Sequence, residues 1–228
     1  MKKILFFVLS IFIAGNALAA THGAVKGVSP DDALKTLLNG NKRFANRQPR
    51  HPNQSASRRI STAKEGQEPF ATILSCSDSR VPLEIIFDAG IADIFAVRLA
   101  GNVVDKDALG SIEYATDHLG TKLVVVLGHT KCGAVTAVVN NDHVGGNITS
   151  FTDKIKPAVE KTRAAYKDLA GEALILESTK ANVRQSMGEI INSSSDIRRM
   201  LKEGRVKIVG ALYDVETGTV ITLSLDTL

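Results

Sequence analysis

The stretch Lys122–Asn140, "KLVVVLGHTKCGAVTAVVN", joins an unbroken apolar run to a short polar turn and then to a helix-like segment. Its first half is β-branched and lacks the alternation of a strand with one wet face, so it reads as a strand covered on both sides. Its second half, Cys132–Asn140, continues through small and apolar residues as a helix candidate. His129 and Cys132 therefore fall where a strand ends and a helix begins.

Three further runs share this character: "FATILSC" (Phe70–Cys76), "DIFAVRLAG" (Asp93–Gly101) and "VKIVGALYD" (Val206–Asp214). Between them lie helix candidates over Lys106–Leu119 and over a long amphipathic stretch from Ile148 to about Lys202. "TVITLSL" (Thr219–Leu225) follows "ETG" at hairpin spacing and is expected to pair antiparallel at a sheet edge. Strands alternating with helices predict an α/β fold, with a central, mainly parallel sheet flanked by helices. Upstream, Ser29 as N-cap, Pro30, and the acidic Asp31 and Asp32 predict a helix to about Arg47. Its apolar stripe is Leu34, Leu37, Leu38 and Phe44, weakened by Gly40. From Arg47 to Gln67 the chain is polar, contains Pro49 and Pro52, and is expected to be a long irregular arm.

Met1-Lys2-Lys3, the apolar run Ile4–Ala14 and the small residues Ala17–Ala20 have the anatomy of a secretory signal peptide. The apolar run is shorter than the roughly 20 residues a spanning helix needs. The expected organisation is a signal peptide over 1–20, an N-terminal helix and arm over 21–67, and an α/β domain over 68–228. Export places the mature chain in the periplasm, and no later segment is long and apolar enough to span a bilayer.

The chain is 44% apolar and 23% charged, an ordinary globular balance. It has no tryptophan and few aromatics, which argues against base-stacking surfaces. Without Lys2 and Lys3 the basic residues number 26 against 24 acidic ones, so the formal charge falls from +4 to +2. The cluster Lys42, Arg43, Arg47, Arg50, Arg58 and Arg59 holds only Phe44 among aromatics and reads as a solvated or dimer-contacting arm, not a nucleic-acid surface.

Two cysteines in an exported chain are by default a disulfide. Their positions point elsewhere. Cys76 ends the first strand and His129 the third, and Cys132 opens a helix. Ligands in open α/β sheets gather at the carboxyl ends of strands, where the strand order reverses. If the first and third strands are neighbours, Cys76, His129 and Cys132 converge there. Two thiolates and an imidazole form a zinc set, and three protein ligands leave a fourth position for water. The helix N-terminus also favours the Cys132 thiolate.

"CSDSR" (Cys76–Arg80), "RLAGN" (Arg98–Asn102) and "HTKCG" (His129–Gly133) together resemble the β-class carbonic anhydrases, here in an exported bacterial form. The resemblance runs from about Phe70 to Val139. It implies a sheet of order 2-1-3-4 with an antiparallel edge strand, and one Zn2+ per chain on Cys76, His129 and Cys132. It implies reversible hydration of carbon dioxide to bicarbonate and a proton by a zinc-bound hydroxide. It also implies a homodimer clasped by N-terminal helices, often doubled to a homotetramer. Asp78 and Arg80 match a catalytic dyad, and Asp78 has two options: it ligates the metal and closes the site, or it pairs with Arg80 and leaves the site open. Gln67 matches a glutamine that hydrogen-bonds a substrate oxygen, and Phe95 and Tyr114 match an apolar substrate pocket at the dimer interface. Gly128 and Gly133 would let backbone approach the metal. His22, His51, His118 and His143 lack a second ligand nearby. Rival readings are a carbonyl sulfide or carbon disulfide hydrolase on the same scaffold, a thiol redox protein, and a closed structural zinc site.

Overall fold

The computed structural model describes residues 27–224; the leader over 1–20 and His22 lie outside the described residues. The apolar runs form β1 (Ala71–Ser75), β2 (Ile94–Arg98), β3 (Leu123–His129) and β4 (Lys207–Tyr213), all parallel. β5 (Val220–Thr222) returns antiparallel on β4, giving the order β2-β1-β3-β4-β5. Asp214 sets that hairpin, its Oδ1 accepting from the amides of Glu216 (2.8 Å) and Thr217 (3.0 Å).

Every residue of β1 and β3 is buried, because helices cover both faces. The two-residue period of a strand sorts the side chains. Ile73, Val125, Leu127 and Val209 pack with Ala33 and Leu37 of α1 (Pro30–Ala45) and, past α2 (Ala56–Glu65), with Leu83 and Ile86 of α3 (Leu83–Ile86). On the other face, Leu74, Val124, Val126 and Ile208 meet α4 (Lys106–Glu113) through Ile112. Beyond α5 (Gly133–Asn140) and α6 (Thr149–Ala165), the same cluster takes in Val183 and Met187 of α7 (Gly171–Ser193) and Ile197 of α8 (Ser195–Lys202). A third cluster lies against the carboxyl ends of the strands, where Cys76, Val103, Cys132 and Val135 join Ile155 of α6 and Leu174 of α7.

Several sequence expectations need correction. The arm is not irregular throughout: α2 forms within it, capped by Ser55, whose Oγ accepts from the Arg58 amide at 3.1 Å. No residue of α2 is buried, so no apolar period marked it. The stretch from Ile148 to Lys202 is three helices, not one. α8 starts afresh at Ser194, whose Oγ accepts from the Ile197 amide at 3.1 Å. Their apolar faces meet common clusters, so the amphipathic pattern runs on across the breaks. Lys106–Leu119 is α4 continued by one wide turn over Tyr114–His118. Gly40 is a packing device rather than a weakness: a Cβ there would collide with the Phe87 carbonyl oxygen.

The arginine cluster ties the arm to the body. Arg43 Nε donates to the fully buried Asp88 carboxylate at 2.5 Å, and the same carboxylate accepts from the Arg50 and His51 amides. Arg58 pairs with Asp93 at 3.5 Å and donates to the Ile91 carbonyl. Among the described residues, no helix is long and apolar enough to cross a membrane.

Candidate metal centre

β1 and β3 lie side by side, and α3 and α5 follow their carboxyl ends, so this is where the strand order reverses. Cys76 comes directly after β1, His129 closes β3, and Cys132 occupies the N-cap position of α5. Their ligand atoms all lie within 4.8 Å of one another, and the three residues are 5%, 0% and 1% exposed. Both cysteines are free thiols, not a disulfide.

The imidazole is oriented from behind. His129 Nδ1 lies 2.9 Å from the Thr130 carbonyl oxygen, and as donor there it leaves the lone pair on Nε2. Nε2 is buried without a hydrogen-bond partner. Buried polar atoms are nearly always satisfied, and a cation shared with two sulfurs would satisfy this one. Two soft sulfurs and a nitrogen suit zinc, so the residues fit the ion.

Cys76 Sγ accepts from the amides of Gly101 (3.3 Å) and Asp78 (3.4 Å). The two thiols are linked by a hydrogen bond that favours Cys76 as thiolate and Cys132 as thiol. Cys76 is pushed down to about 4, first by the hydrogen bond from Cys132 and then, against burial, by His129 and the two amides. Cys132 is pushed up, first by the same bond to Cys76 and then by burial. A divalent cation held by the two sulfurs would favour both thiolates.

Asp78 is held on Arg80. Arg80 Nε reaches Oδ1 at 2.9 Å and Nη2 reaches Oδ2 at 2.7 Å, while the Arg80 amide also donates to Oδ1 at 2.9 Å. Arg80 Nη2 further donates to the Lys131 carbonyl at 3.0 Å, which ties the dyad to the loop between His129 and Cys132. The side-chain bond from Arg80 is the main reason the Asp78 carboxyl is pushed down to about 2. Oδ2 lies 3.8 Å from His129 Nε2, beside the three ligand atoms.

The other residues singled out in the sequence are placed differently. Gln67 is exposed and precedes β1, at the end opposite Cys76. Phe95 pairs in register with Thr72, about 13 Å along the strand from Cys76. Tyr114 lies beside Phe95, ring centroids 6.1 Å apart, and is 48% exposed. Within one chain these three are not brought to the ligands. Gly133 is exposed at the start of α5, with open space where a Cβ would point. Gly128 makes room for α7 instead of the metal, since a Cβ there would come within 2.6 Å of Val183 Cγ2.

Some contributors stood in the quoted motifs without an assigned role. Arg98 clamps the segment after β1, donating to the carbonyls of Cys76 (3.1 Å) and Asp78 (2.7 Å); a charged residue closing an apolar run was the available clue. The Gly101 amide and the Thr130 and Lys131 carbonyls act through the backbone, which no residue type announces.

A family model for carbonic anhydrase matches residues 71–220. Carbonic anhydrase 2 of Mycobacterium tuberculosis is 40% identical over 197 residues, spanning 85% of this chain and 92% of that protein. Among solved structures, the β-carbonic anhydrase CafA of Aspergillus fumigatus superposes with a TM-score of 0.69 at 28% identity, covering 84% of this chain and 90% of that one. A structure from a study of two tetrameric β-carbonic anhydrases of Sordaria macrospora superposes with a TM-score of 0.68 at 22% identity, covering 85% and 98%. Sequence, sheet order and ligand cluster agree: the chain belongs to the β-carbonic anhydrase family.

Proposed function

We propose that this chain interconverts carbon dioxide and bicarbonate with one zinc ion on Cys76, His129 and Cys132, assisted by Asp78 and Arg80. The observation that carries the roles is the two-pronged Arg80–Asp78 contact, which engages both carboxylate oxygens and holds Asp78 beside the ligand set without joining it. Cys76, His129 and Cys132 would then hold a zinc ion by three protein ligands, one fewer than its usual four. When bound, zinc supplies Lewis-acid activation of water, so that a nucleophile is available near neutral pH. Asp78, ionised throughout the physiological range, accepts a hydrogen bond from the attacking water and aims its lone pair at the carbon of carbon dioxide. One carbon–oxygen bond forms as a C=O electron pair moves onto oxygen, and the proton of the water leaves for solvent. Arg80 keeps the carboxylate in place by a charge-assisted contact.

The test is metal analysis combined with a carbon dioxide hydration assay. Asp78→Ala is expected to keep about one zinc per chain and lose most of the turnover; wild-type turnover in that variant removes Asp78 from the mechanism. Faster turnover of carbonyl sulfide or carbon disulfide than of carbon dioxide would reassign the substrate.

The chain is further proposed to act as a homo-oligomer in the periplasm after removal of residues 1–20. In this reading Gln67, Phe95 and Tyr114 serve the metal centre of a second copy. The exposure of Tyr114 and the distance of Phe95 from its own Cys76 support it. Light scattering on the mature protein checks the assembly, and the N-terminal residue of the secreted form checks the cleavage.

A further inference from the structure

Helix α7 packs against an apolar sheet face, yet half of the residues it buries there are polar: Ser178, Thr179, Asn182 and Ser186 beside Leu174, Val183, Met187 and Ile190. Ser178, Asn182 and Ser186 are spaced four apart, so they form one stripe along the helix. A polar stripe in such a place costs free energy that apolar packing would not. The hydroxyl of Ser178 and Oδ1 of Asn182 have no hydrogen-bond partner in the protein, so mutual satisfaction does not explain the stripe.

What it does bond is specific. Asn182 Nδ2 donates to the Gly101 carbonyl at 2.7 Å, and Ser186 Oγ donates to the Asn102 carbonyl at 3.0 Å. Gly101 and Asn102 both lie in the left-handed region, with φ of 69° and 46°, and Asn102 has a Cβ that disfavours it. A turn of this shape needs fixing from outside. The amide of Gly101 is one of the two that donate to Cys76 Sγ.

We propose that Asn182, with Ser186, is a positioning residue of the metal centre. It holds the Gly101–Asn102 turn so that the Gly101 amide stays aimed at the Cys76 sulfur. An amide hydrogen bond withdraws charge from a thiolate and fixes its direction, and outer contacts of this kind set metal affinity. The inference rests on Cys76, His129 and Cys132 being a metal site.

The experiment replaces Asn182 by leucine, which keeps the bulk and removes the donor, and Ser186 by alanine. Ser178→Ala is the control, on the same stripe but bonded to nothing in the turn. Each variant is titrated with Zn2+ against a chromophoric chelator, and its Co2+ form is examined for the thiolate-to-cobalt charge-transfer band. Asn182→Leu is expected to weaken zinc binding by about 10- to 100-fold and to shift that band, while Ser178→Ala leaves both unchanged. Wild-type affinity and spectrum in folded Asn182→Leu would overturn the proposal, as would equal changes in Ser178→Ala. Should Asn182→Leu fail to fold, Ser186→Ala decides by the same readouts: a shifted band supports the role and an unchanged one overturns it. If the wild-type chain binds neither metal, the metal-site reading falls and takes this inference with it; binding with unaltered variants sinks this inference alone.

Discussion

Cys76 is held both by its own turn and by the segment that closes β2. Amides of Asp78 and Gly101 point at its sulfur, and Arg98 holds its carbonyl and that of Asp78. The Arg98 guanidinium is a fork that reaches both acceptors at once, which a lysine cannot do. Arg98→Met is expected to lower stability by about 0.5–1.5 kcal/mol, the usual net worth of a hydrogen bond, because the side chain is exposed and water reaches the freed Asp78 carbonyl. In a chain of this size, each kcal/mol corresponds to roughly 2–4 °C in Tm. Arg98→Lys should recover little of it. Thermal unfolding of both variants checks this, and a wild-type Tm for Arg98→Met would show that water replaces the clamp fully.

At the scale of elements, the N-terminal arm depends on Asp88. Its side chain is fully buried at the end of α3, where the amides of Arg50 and His51 and the guanidinium of Arg43 all donate to it. Burial alone would push this carboxyl up. The Arg50 amide, Arg43 and the His51 amide outweigh it and hold the group below the ordinary carboxylate range. A depressed folded-state value makes the arm's attachment complete above the unfolded-state pKa of about 3.9. That contribution is lost as pH falls through the lower folded-state value. Protease cleavage between α1 and β1 is therefore expected to stay slow down to about pH 4 and to speed up below it, ahead of global unfolding. Asp88→Asn should cleave faster already at neutral pH. Cleavage of the wild-type arm at one rate across this range would count against Asp88 as its anchor.

The metal centre belongs to no single element. Ligands come from the ends of β1 and β3 and the start of α5, and their supports come from the turn after β2 and from α7. Metal binding is thus coupled to the whole fold. Zinc at a hundred times its Kd is expected to stabilise the protein by about 2.7 kcal/mol over the metal-free form. The loaded protein should shield both thiols from a disulfide reagent, and chelation should expose two per chain. Identical Tm and identical thiol reactivity before and after chelation would contradict this coupling.

Sequence alone determined the covered strands, the antiparallel return after Asp214 and the placing of Cys76, His129 and Cys132 at strand ends; that the three meet follows from β1 and β3 being neighbours in the sheet. Each rests on a local cause: apolar runs without alternation, turn residues at hairpin spacing, and ligands placed at strand ends. It did not show α2, which buries nothing, or the packing roles of Gly40 and Gly128, which depend on a neighbour distant in the chain. Nor did it choose between the two states of Asp78, because both are within reach of a carboxylate two residues from Cys76. Tertiary structure made that choice: the Lys131 carbonyl takes one Arg80 nitrogen and fixes the guanidinium, and the guanidinium then holds Asp78 with both prongs. An acceptor supplied by backbone from another strand end carries no residue-type signature, so only the folded chain reveals it.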